Sequence, residues 1–474
     1  MESTGLSSTV SSSERKNINN NDTHSETRDS DGCTPLWLAS EKGETNTVRA
    51  LVSGGADVNT KRNDGVSALS VASQEGHVDI VNLLLHNGAG ADIETRDNLG
   101  CTPLRFAAFS GQTDVVRALV SAGADVNTQR DNGGSALSVA SHKGYVDIVQ
   151  ILLDKGAHIE ITNNIGCTPL WFAATSGQTA VVSALVSAGV DVNTQHNDGV
   201  SALSVACLGG HTEVVKTLLN SGAQIETGNN TLCKPLWLAA AHGHTDVIRA
   251  LMSAGVDVNT QTNEGDSLLI AACHEGQTEL VKMLLNNGAQ METTNQYGST
   301  PLLVASAKGQ TDVVHALVSA GADVNTLNNE GVYALTAATV GGYIDIVEML
   351  LDSGVQISNR DSNGCTPLWF ASEQGKTDIV RALVSRGDDV NTKSNDGTSA
   401  LSVASQKGHV DVVNLLLRNG AQIETRNIIG CTPLFIAAFN GQTNVVRALV
   451  SAGADANTTA YNDVSVLNIA SEKG

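Results

Sequence analysis

The sequence predicts an all-α protein built as a helix–turn–helix solenoid, and three observations support this fold class. A strict period runs through the chain, because the prolines recur 66 residues apart after a first interval of 68. Each block of 66 residues divides into two related halves of 33, as expected for stacked structural repeats. Aromatic residues make up only 3% of the chain, which suits thin helical layers better than a large core around a cofactor. The seven prolines are Pro35, Pro103, Pro169, Pro235, Pro301, Pro367 and Pro433.

Two kinds of repeat alternate along the chain. A repeats contain the proline, in phrases such as GCTPLWFA, which occurs at Gly166–Ala173 and again at Gly364–Ala371. B repeats lack it, as in DGVSALSVASQEGHVDIVNLLLHNGA from Asp64. Thirteen repeats are complete, and a fourteenth stops at Gly474. A repeats start near Asp31, Leu99, Ile165, Thr231, Tyr297, Asn363 and Ile429, and B repeats near Asp64, Asn132, Asp198, Glu264, Glu330, Asp396 and Asn462.

Each repeat predicts two short antiparallel helices and a turn-rich loop. In one A repeat, Thr168 is a good N-cap and Pro169 occupies the first helical position, where its missing N–H costs nothing. Gly177 ends this helix, and QTAVVSALVSAG supplies a second helix with Thr179 as its cap and Gly189 as its end. Loops such as ADVNTQRDNG are rich in residues that tolerate turn geometry. Neither helix could bury its apolar face alone, so neighbouring repeats must stack.

The combination of T-P-L, a G-x-T or G-H step before a V-V or I-V helix, and G-A-D-V-N resembles the ankyrin repeat. The resemblance extends from about Asp31 to Gly474 and implies a curved solenoid with β-hairpin fingers and a concave face. It also implies that partners dock on the finger tips and on the exposed ends of the first helices. B repeats depart from the family by carrying Ser-Ala-Leu-Ser instead of Thr-Pro-Leu-His. In A repeats the family histidine is replaced by Trp37, Trp171, Trp237 or Trp369, so we expect apolar packing in place of its hydrogen bonds between layers.

The ends of the chain differ from the array. Residues 1–30 are rich in Ser and Asn and have no hydrophobic period, which predicts a disordered leader before an array at 31–474. The fourteenth repeat, 462–474, is cut after one helix, which would leave its packing surface bare. This predicts that the natural chain continues beyond Gly474.

Composition and charge exclude several classes of function. A formal charge of −21 argues against nucleic acid as a partner, because that binding needs Lys and Arg to neutralise phosphates. There is no signal peptide and no apolar run of membrane-spanning length. Most cysteines fall in one row, two repeats apart and too distant for disulfides, so we expect reduced thiols and a cytoplasmic protein. That row is Cys33, Cys101, Cys167, Cys233, Cys365 and Cys431, and Cys207 and Cys273 form a second row.

No constellation for catalysis or cofactor binding stands out in the chain. His242, His244 and His274 were the nearest approach to a metal site, but no further ligand completes it, and surface histidines are the simpler interpretation. The family's finger position suggests part-exposed cysteine thiols, and the loop asparagines, such as Asn127, resemble hydroxylation sites of the family. Carboxylates recur in every loop and predict either a ribbon that steers a basic partner or ordinary solvated acids. They are Asp57, Asp125, Asp191, Asp257, Asp323, Asp389 and Asp455 in A repeats, and Glu94, Glu160, Glu226, Glu292 and Glu424 in B repeats, with Ser358 breaking the second row.

Seven residues are the candidate partner-binding residues. Four apolar side chains occur at first-helix ends where most repeats carry polar pairs, and aromatic anchors dominate interface energies. The other three lie in the segment from Glu264 to Ser362 that drifts furthest from the repeat pattern. The seven are Phe109, Leu208, Val340 and Phe439, together with Asp266, His274 and Tyr333.

These observations predict a monomeric, non-catalytic scaffold that binds protein partners of unknown identity, basic ones included, through its finger tips and its concave first-helix surface. Two alternatives stay open. The array could be a targeting or autoinhibitory segment of a larger enzyme, channel or signalling protein, or a spacer solenoid without a dedicated ligand.

Overall fold

The structure, a computed structural model, describes residues 26–86, 89–225, 234–262, 265–460 and 464–473. These residues form 27 short helices, each of seven to nine residues, so the all-α class is confirmed. The chain divides into an N-terminal unit that ends at Asn229 and a C-terminal unit that begins at Asn230. None of the described helices is both long and apolar enough to be a membrane span.

Helices of the N-terminal unit come in pairs, the odd-numbered one being the first helix of its repeat. They are α1 (Pro35–Lys42), α2 (Thr45–Ser53), α3 (Ala68–Glu75), α4 (Val78–Leu85), α5 (Pro103–Ser110), α6 (Thr113–Ser121), α7 (Ala136–Lys143), α8 (Val146–Asp154), α9 (Pro169–Thr175), α10 (Thr179–Ser187), α11 (Ala202–Leu208) and α12 (Thr212–Asn220).

The C-terminal unit continues the same alternation. Its helices are α13 (Pro235–Ala241), α14 (Thr245–Ser253), α15 (Leu268–Glu275), α16 (Thr278–Asn286), α17 (Pro301–Lys308), α18 (Thr311–Ser319), α19 (Ala334–Gly341), α20 (Ile344–Asp352), α21 (Pro367–Glu373), α22 (Thr377–Ser385), α23 (Ala400–Lys407), α24 (Val410–Arg418), α25 (Pro433–Phe439), α26 (Thr443–Ser451) and α27 (Val466–Lys473).

The predicted starts of the first helices are confirmed, whereas Thr179 is the first residue of α10 and Gln178 precedes it without a side-chain cap. Thr168 has an extended backbone, and its side-chain oxygen accepts a hydrogen bond from the Trp171 N–H, while Pro169 occupies the first turn. In B repeats a serine does the same work, as where the Ser67 side chain accepts from the Ser70 N–H. These caps satisfy backbone donors that the first turn of a helix leaves without partners.

Within each unit, first helices pack on the first helices of the next repeat and second helices on second helices. The contact surfaces use small and branched side chains. Ala107 and Ala108 of α5 and Val115, Val116 and Leu119 of α6 have no exposed surface. Such thin layers bury apolar area only when a neighbouring repeat covers them, so the stack forms the core.

Polar contacts tie many repeats to the next one at the turn between the two helices. The His77 side chain, at the start of α4, hydrogen-bonds the Glu41 carbonyl of the preceding repeat at 3.1 Å. The Gln112 amide donates to the Gln74 carbonyl at the same distance. Both carbonyls lie at the end of a first helix, where no further turn of that helix can supply a donor.

The loops between repeats contain less β-structure than the expected β-hairpin fingers. Among the described residues they contain only isolated antiparallel bridges, such as Lys61 with Ser67, and all six join the end of an A repeat to a serine at the start of the next B repeat. The reason is local: the Arg62 N–H donates to the Val66 carbonyl, and Ser67 then already caps the next helix. Too few residues are left for a two-stranded ladder.

The predicted boundary of the leader needs correction. Glu26 and Arg28 already belong to the first finger loop, because the Glu26 carboxylate accepts from the Asp57 N–H at 2.9 Å and the Arg28 guanidinium donates to the Lys61 carbonyl. The array therefore begins before residue 31. Residues 1–25 of the predicted leader lie outside the described residues, as does the start of the last repeat at Asn462.

The turn glycine before each second helix offers a test of the stacking. Gly375 has a φ of +70°, and a Cβ added there would lie 2.6 Å from the His409 ring of the next repeat. Gly387 has a φ of +91° with open space around it. Both alanine variants should lose about 1–2 kcal/mol from left-handed backbone strain. Gly375→Ala should lose about 1 kcal/mol more, because the displaced ring gives up its hydrogen bond to the Glu373 carbonyl.

Urea unfolding of the two variants, monitored by circular dichroism, measures this difference. Equal free energies of unfolding for Gly375→Ala and Gly387→Ala would contradict the proposed contact between repeats.

Candidate partner-binding face

The exposed ends of the first helices form the surface that the sequence singled out. We call this surface the first-helix face and define it by the last two turns of each first helix. A half-exposed apolar side chain recurs along its middle in both units. These residues are Leu38, Val139 and Phe172 in the N-terminal unit and Leu238, Val304, Phe370 and Ile436 in the C-terminal unit.

The structure places the four predicted apolar residues at the edge of this face. Leu208, Val340 and Phe439 are 41%, 43% and 51% exposed. Phe109 is half-buried, because the Lys143 ammonium of the next B repeat lies over its ring, 4.7 Å from the centroid. Four large apolar side chains therefore remain in contact with water at positions where most repeats are polar.

Two of the three candidate residues from the segment Glu264 to Ser362, namely His274 and Asp266, lie in different parts of their repeat. His274 is exposed on the first-helix face, where its Nδ1 is 2.7 Å from a Glu275 carboxylate oxygen. Asp266 lies in the finger loop that precedes α15, and its N–H donates to the Thr262 hydroxyl at 3.1 Å. The structure does not bring these two side chains together into one site.

The prediction that Tyr333 contacts a partner is wrong. Its side chain has no exposed surface, and its hydroxyl donates to the Gln356 carbonyl at 2.7 Å. Tyr333 stands at the position of the serine cap in other B repeats, and its ring fills the layer instead of capping α19. Burial among apolar groups raises the pKa of its phenol.

The row of glutamates in B repeats is structural. The Glu94 carboxylate accepts from the Asp125 N–H at 2.8 Å and from the Thr128 hydroxyl at 3.1 Å, both in the next repeat. Glu160, Glu292 and Glu424 make the same backbone contact, while Glu226 lies outside the described residues. A large part of the predicted acidic ribbon therefore consists of carboxylates that hold neighbouring finger loops together by hydrogen bonds.

The break in this row at Ser358 is compensated one repeat later. Asp388 replaces the alanine or valine found there in other A repeats, and its buried carboxylate accepts from the Ser358 hydroxyl at 3.0 Å. The nearby Asp389 N–H, the group that a glutamate at 358 would bind, favours the ionised form of this carboxylate. Its second oxygen, Oδ2, is buried without a hydrogen-bond partner among the described residues. Burial raises the pKa of Asp388 to about 6.

The loop asparagines also hold neighbouring repeats together. The Asn127 amide donates to the Gly156 carbonyl at 3.2 Å, and its oxygen accepts from the His158 N–H at 2.7 Å. Both polar atoms of the side chain are occupied, which assigns the asparagine a structural role in the turn.

The cysteine row is buried, contrary to the part-exposed position that the family resemblance implied. All seven described cysteines are buried, and Cys233 lies outside the described residues. Burial raises the pKa of Cys33 and Cys365 to about 11, and it raises the pKa of Cys207 and Cys273 further still. The cysteines of the first row directly precede a helix cap, as Cys33 precedes Thr34, whereas Cys207 and Cys273 lie within α11 and α15.

The tryptophans replace the family histidine in two ways. The Trp37 indole N–H donates to the Val66 carbonyl of the next repeat at 3.1 Å, so one hydrogen bond between layers is kept. The indole nitrogens of Trp171, Trp237 and Trp369 are buried without hydrogen-bond partners in the described part of the chain. Apolar packing substitutes there, as expected.

Exposed apolar finger tips were missed by the sequence interpretation. Ile428 and Ile429 are adjacent in one tip and are 68% and 61% exposed. The signal was available, because the residue before each finger glycine is polar in B repeats and often apolar in A repeats. The other exposed apolar residues at this position of A repeats are Leu99, Ile165 and Tyr297. Within the described ranges, no three His, Cys, Asp or Glu side chains converge in a way that could hold a metal ion.

The raised pKa of Asp388 predicts an unusual pH dependence. Because its folded pKa of about 6 lies above the ordinary 3.8, the group's contribution to stability is present below pH 3.8 and is lost as the pH rises through 6. Relative to Asp388→Asn, the wild type should therefore gain up to about 3 kcal/mol of unfolding free energy between pH 7 and pH 4. Urea titrations at several pH values test this.

The control variant for this experiment moves the carboxylate back to position 358, where other B repeats carry glutamate. The Ser358→Glu/Asp388→Ala variant should show no such gain relative to Asp388→Asn, because Glu160, Glu292 and Glu424 at the equivalent position of other B repeats are exposed. Parallel pH profiles for the wild type and Asp388→Asn would contradict burial of the charge.

Burial of the thiols predicts low reactivity. At pH 8, the seven described cysteines should react with iodoacetamide at least about tenfold more slowly than free cysteine, because the thiolate is the nucleophile. Peptide mapping by mass spectrometry locates the modified residues, and alkylation in guanidinium supplies the fully reactive control. Rapid labelling of Cys101 or Cys207 in the folded protein would show that these layers are not closed.

Comparison with known families agrees with this architecture. The family described as ankyrin repeats (3 copies) matches residues 13–97, 89–164, 160–229, 236–328, 320–394 and 387–460. No curated protein matches the chain significantly. Repeats of this family are generally protein-interaction modules without catalytic activity. The family matches cover most of the sequence and coincide with the stacked helix pairs, so the chain belongs to the ankyrin repeat family.

Proposed function

We propose that this chain is a non-catalytic scaffold inside the cell, which binds protein partners through the first-helix face and the finger tips. One observation carries the proposal: Leu208, Val340 and Phe439 expose apolar side chains at first-helix ends where other repeats carry polar ones. Exposed aromatic and branched side chains cost solvation free energy, and a partner that covers them recovers it.

The charge distribution favours this face over the acidic loops as the principal docking surface. Many loop carboxylates already accept backbone hydrogen bonds from the next repeat, as Glu94 and Glu160 do. The first-helix ends instead combine apolar groups with a few charges of both signs. A partner that reads apolar side chains fits this surface better than one attracted mainly by acidic loops.

The spacer alternative has less support, because a spacer needs no exposed apolar groups on one face of its helices. The interpretation as a targeting or autoinhibitory segment also requires a binding face. It therefore shares the prediction below.

A crosslinking pull-down with matched variants tests the proposal. The face variant is Phe109→Glu/Val340→Glu/Phe439→Glu. The control variant Ala180→Glu/Asn444→Glu/Val450→Glu adds the same charge at exposed positions of second helices. Proteins captured by the wild type and by the control variant should be lost, by about tenfold or more, with the face variant. Circular dichroism checks that all three proteins remain helical.

Two outcomes would contradict the proposal. Equal losses with both variants would indicate a nonspecific effect of added charge. An unchanged set of captured proteins in all three samples would favour the spacer.

A further inference from the structure

We propose that the first-helix face over α5, α7, α9 and α11 binds an acidic, apolar segment of a partner protein. The segment would present a carboxylate to Lys143 and apolar side chains to Phe109, Phe172 and Leu208. This inference rests on the proposed scaffold function and deepens it by naming the chemistry of the partner.

The two units contain the same site in two versions. Lys143 and Lys407 occupy the same position of B repeats, eight repeats apart, and Phe109 occupies the position of Glu373. In the C-terminal unit the Lys407 ammonium pairs with the Glu373 carboxylate at 3.4 Å. In the N-terminal unit phenylalanine stands where that carboxylate would be.

Lys143 therefore keeps an uncompensated charge. Its ammonium lies 4.7 Å from the centroid of the Phe109 ring, and none of the ion pairs among the described residues includes it. A ring attracts a cation through its quadrupole but does not neutralise the charge. An exposed ammonium held over an aromatic ring is then ready to pair with a carboxylate from another molecule.

The neighbouring helix ends leave this charge without competition from acids. The last positions of the four helices carry Phe109-Ser110, His142-Lys143, Thr175-Ser176 and Leu208-Gly209, and no carboxylate is among them. In a chain of charge −21, four successive first-helix ends without a carboxylate leave Lys143 with no acidic neighbour at these positions. A basic partner segment would meet Lys143 as a like charge.

Aromatic contacts fix the shape of the surface between Lys143 and Leu208. The His142 ring meets the Phe172 ring edge-on at 6.1 Å, and its Nδ1 lies 2.7 Å from the Ser176 hydroxyl. The Trp171 ring also meets Phe172 edge-on, at 5.6 Å. These contacts hold Phe172 half-exposed between the cation and the apolar end of α11, so little ordering is needed on binding.

The spacing of the layers sets the length of the segment. Packed helices lie about 8–10 Å apart, and an extended chain advances about 3.3 Å per residue. About three residues of an extended segment thus cross one layer, and about nine reach from Phe109 to Leu208. A carboxylate near the first third of the segment would meet Lys143, with apolar side chains on either side.

The test uses two fluorescein-labelled peptides of about twelve residues. Both contain the same leucines, phenylalanines and serines, and one carries glutamates where the other carries lysines. Fluorescence anisotropy with the full chain should show that the glutamate peptide binds at least about tenfold more tightly than the lysine peptide. The preference should shrink as salt is raised, because the lysine is exposed.

The natural pair at Glu373 and Lys407 supplies matched variants. Phe109→Glu should lower the affinity for the glutamate peptide by about tenfold, since it recreates the internal ion pair of the other unit. Adding Glu373→Phe to that variant should restore much of the binding, now at the C-terminal unit. Neither change threatens folding, because each side chain already occurs at the equivalent position.

Equal affinity for the two peptides, or an unchanged affinity after Phe109→Glu, would overturn the inference. The scaffold function could survive that result, because the pull-down of the preceding section would still capture partners through other parts of the face. If only the pull-down failed, the scaffold function would be contradicted, while the preference for the glutamate peptide would still be measurable.

Discussion

The structure depends on the close approach of each repeat to the turn of the one before it. A glycine with positive φ ends the first helix, and a side chain of the next repeat lies directly against it, as His409 does at Gly375. The same side chain satisfies a carbonyl at that helix end. Helices of seven to nine residues are too short to be stable alone, so this contact and the apolar layers behind it together form the fold.

Much of this could be predicted from the sequence because the repeat carries its own signals. A threonine before a proline marks a helix start, and a glycine near each helix end marks its stop. The sequence misplaced Tyr333 and Cys33 and assigned no role to Asp388, because the surroundings of these side chains are set in part by a neighbouring repeat. Periodicity shows that two such positions are equivalent, but it does not show which of their side chains meet across a layer.

Charge in this protein is divided between two surfaces with different tasks. The loop carboxylates are numerous, yet many of them act as hydrogen-bond acceptors for the next loop, as Glu424 does for Asp455. The first-helix face has few charges. There, the presence of Phe109 at a position where another repeat has glutamate changes the electrostatics of a whole patch. A net charge of −21 is therefore a poor guide to what each surface binds.

At one junction the carboxylate is supplied by Asp388 and not by residue 358, which is a serine. This limits how the array can be rearranged. Two A repeats elsewhere are nearly interchangeable, since Gly100–Thr128 and Gly430–Thr458 differ at only five of 29 positions. Recombination that duplicates or deletes repeats would leave most junctions intact. At this junction, a crossover between the two residues would produce either two carboxylates or none, so we expect the pair to be retained together.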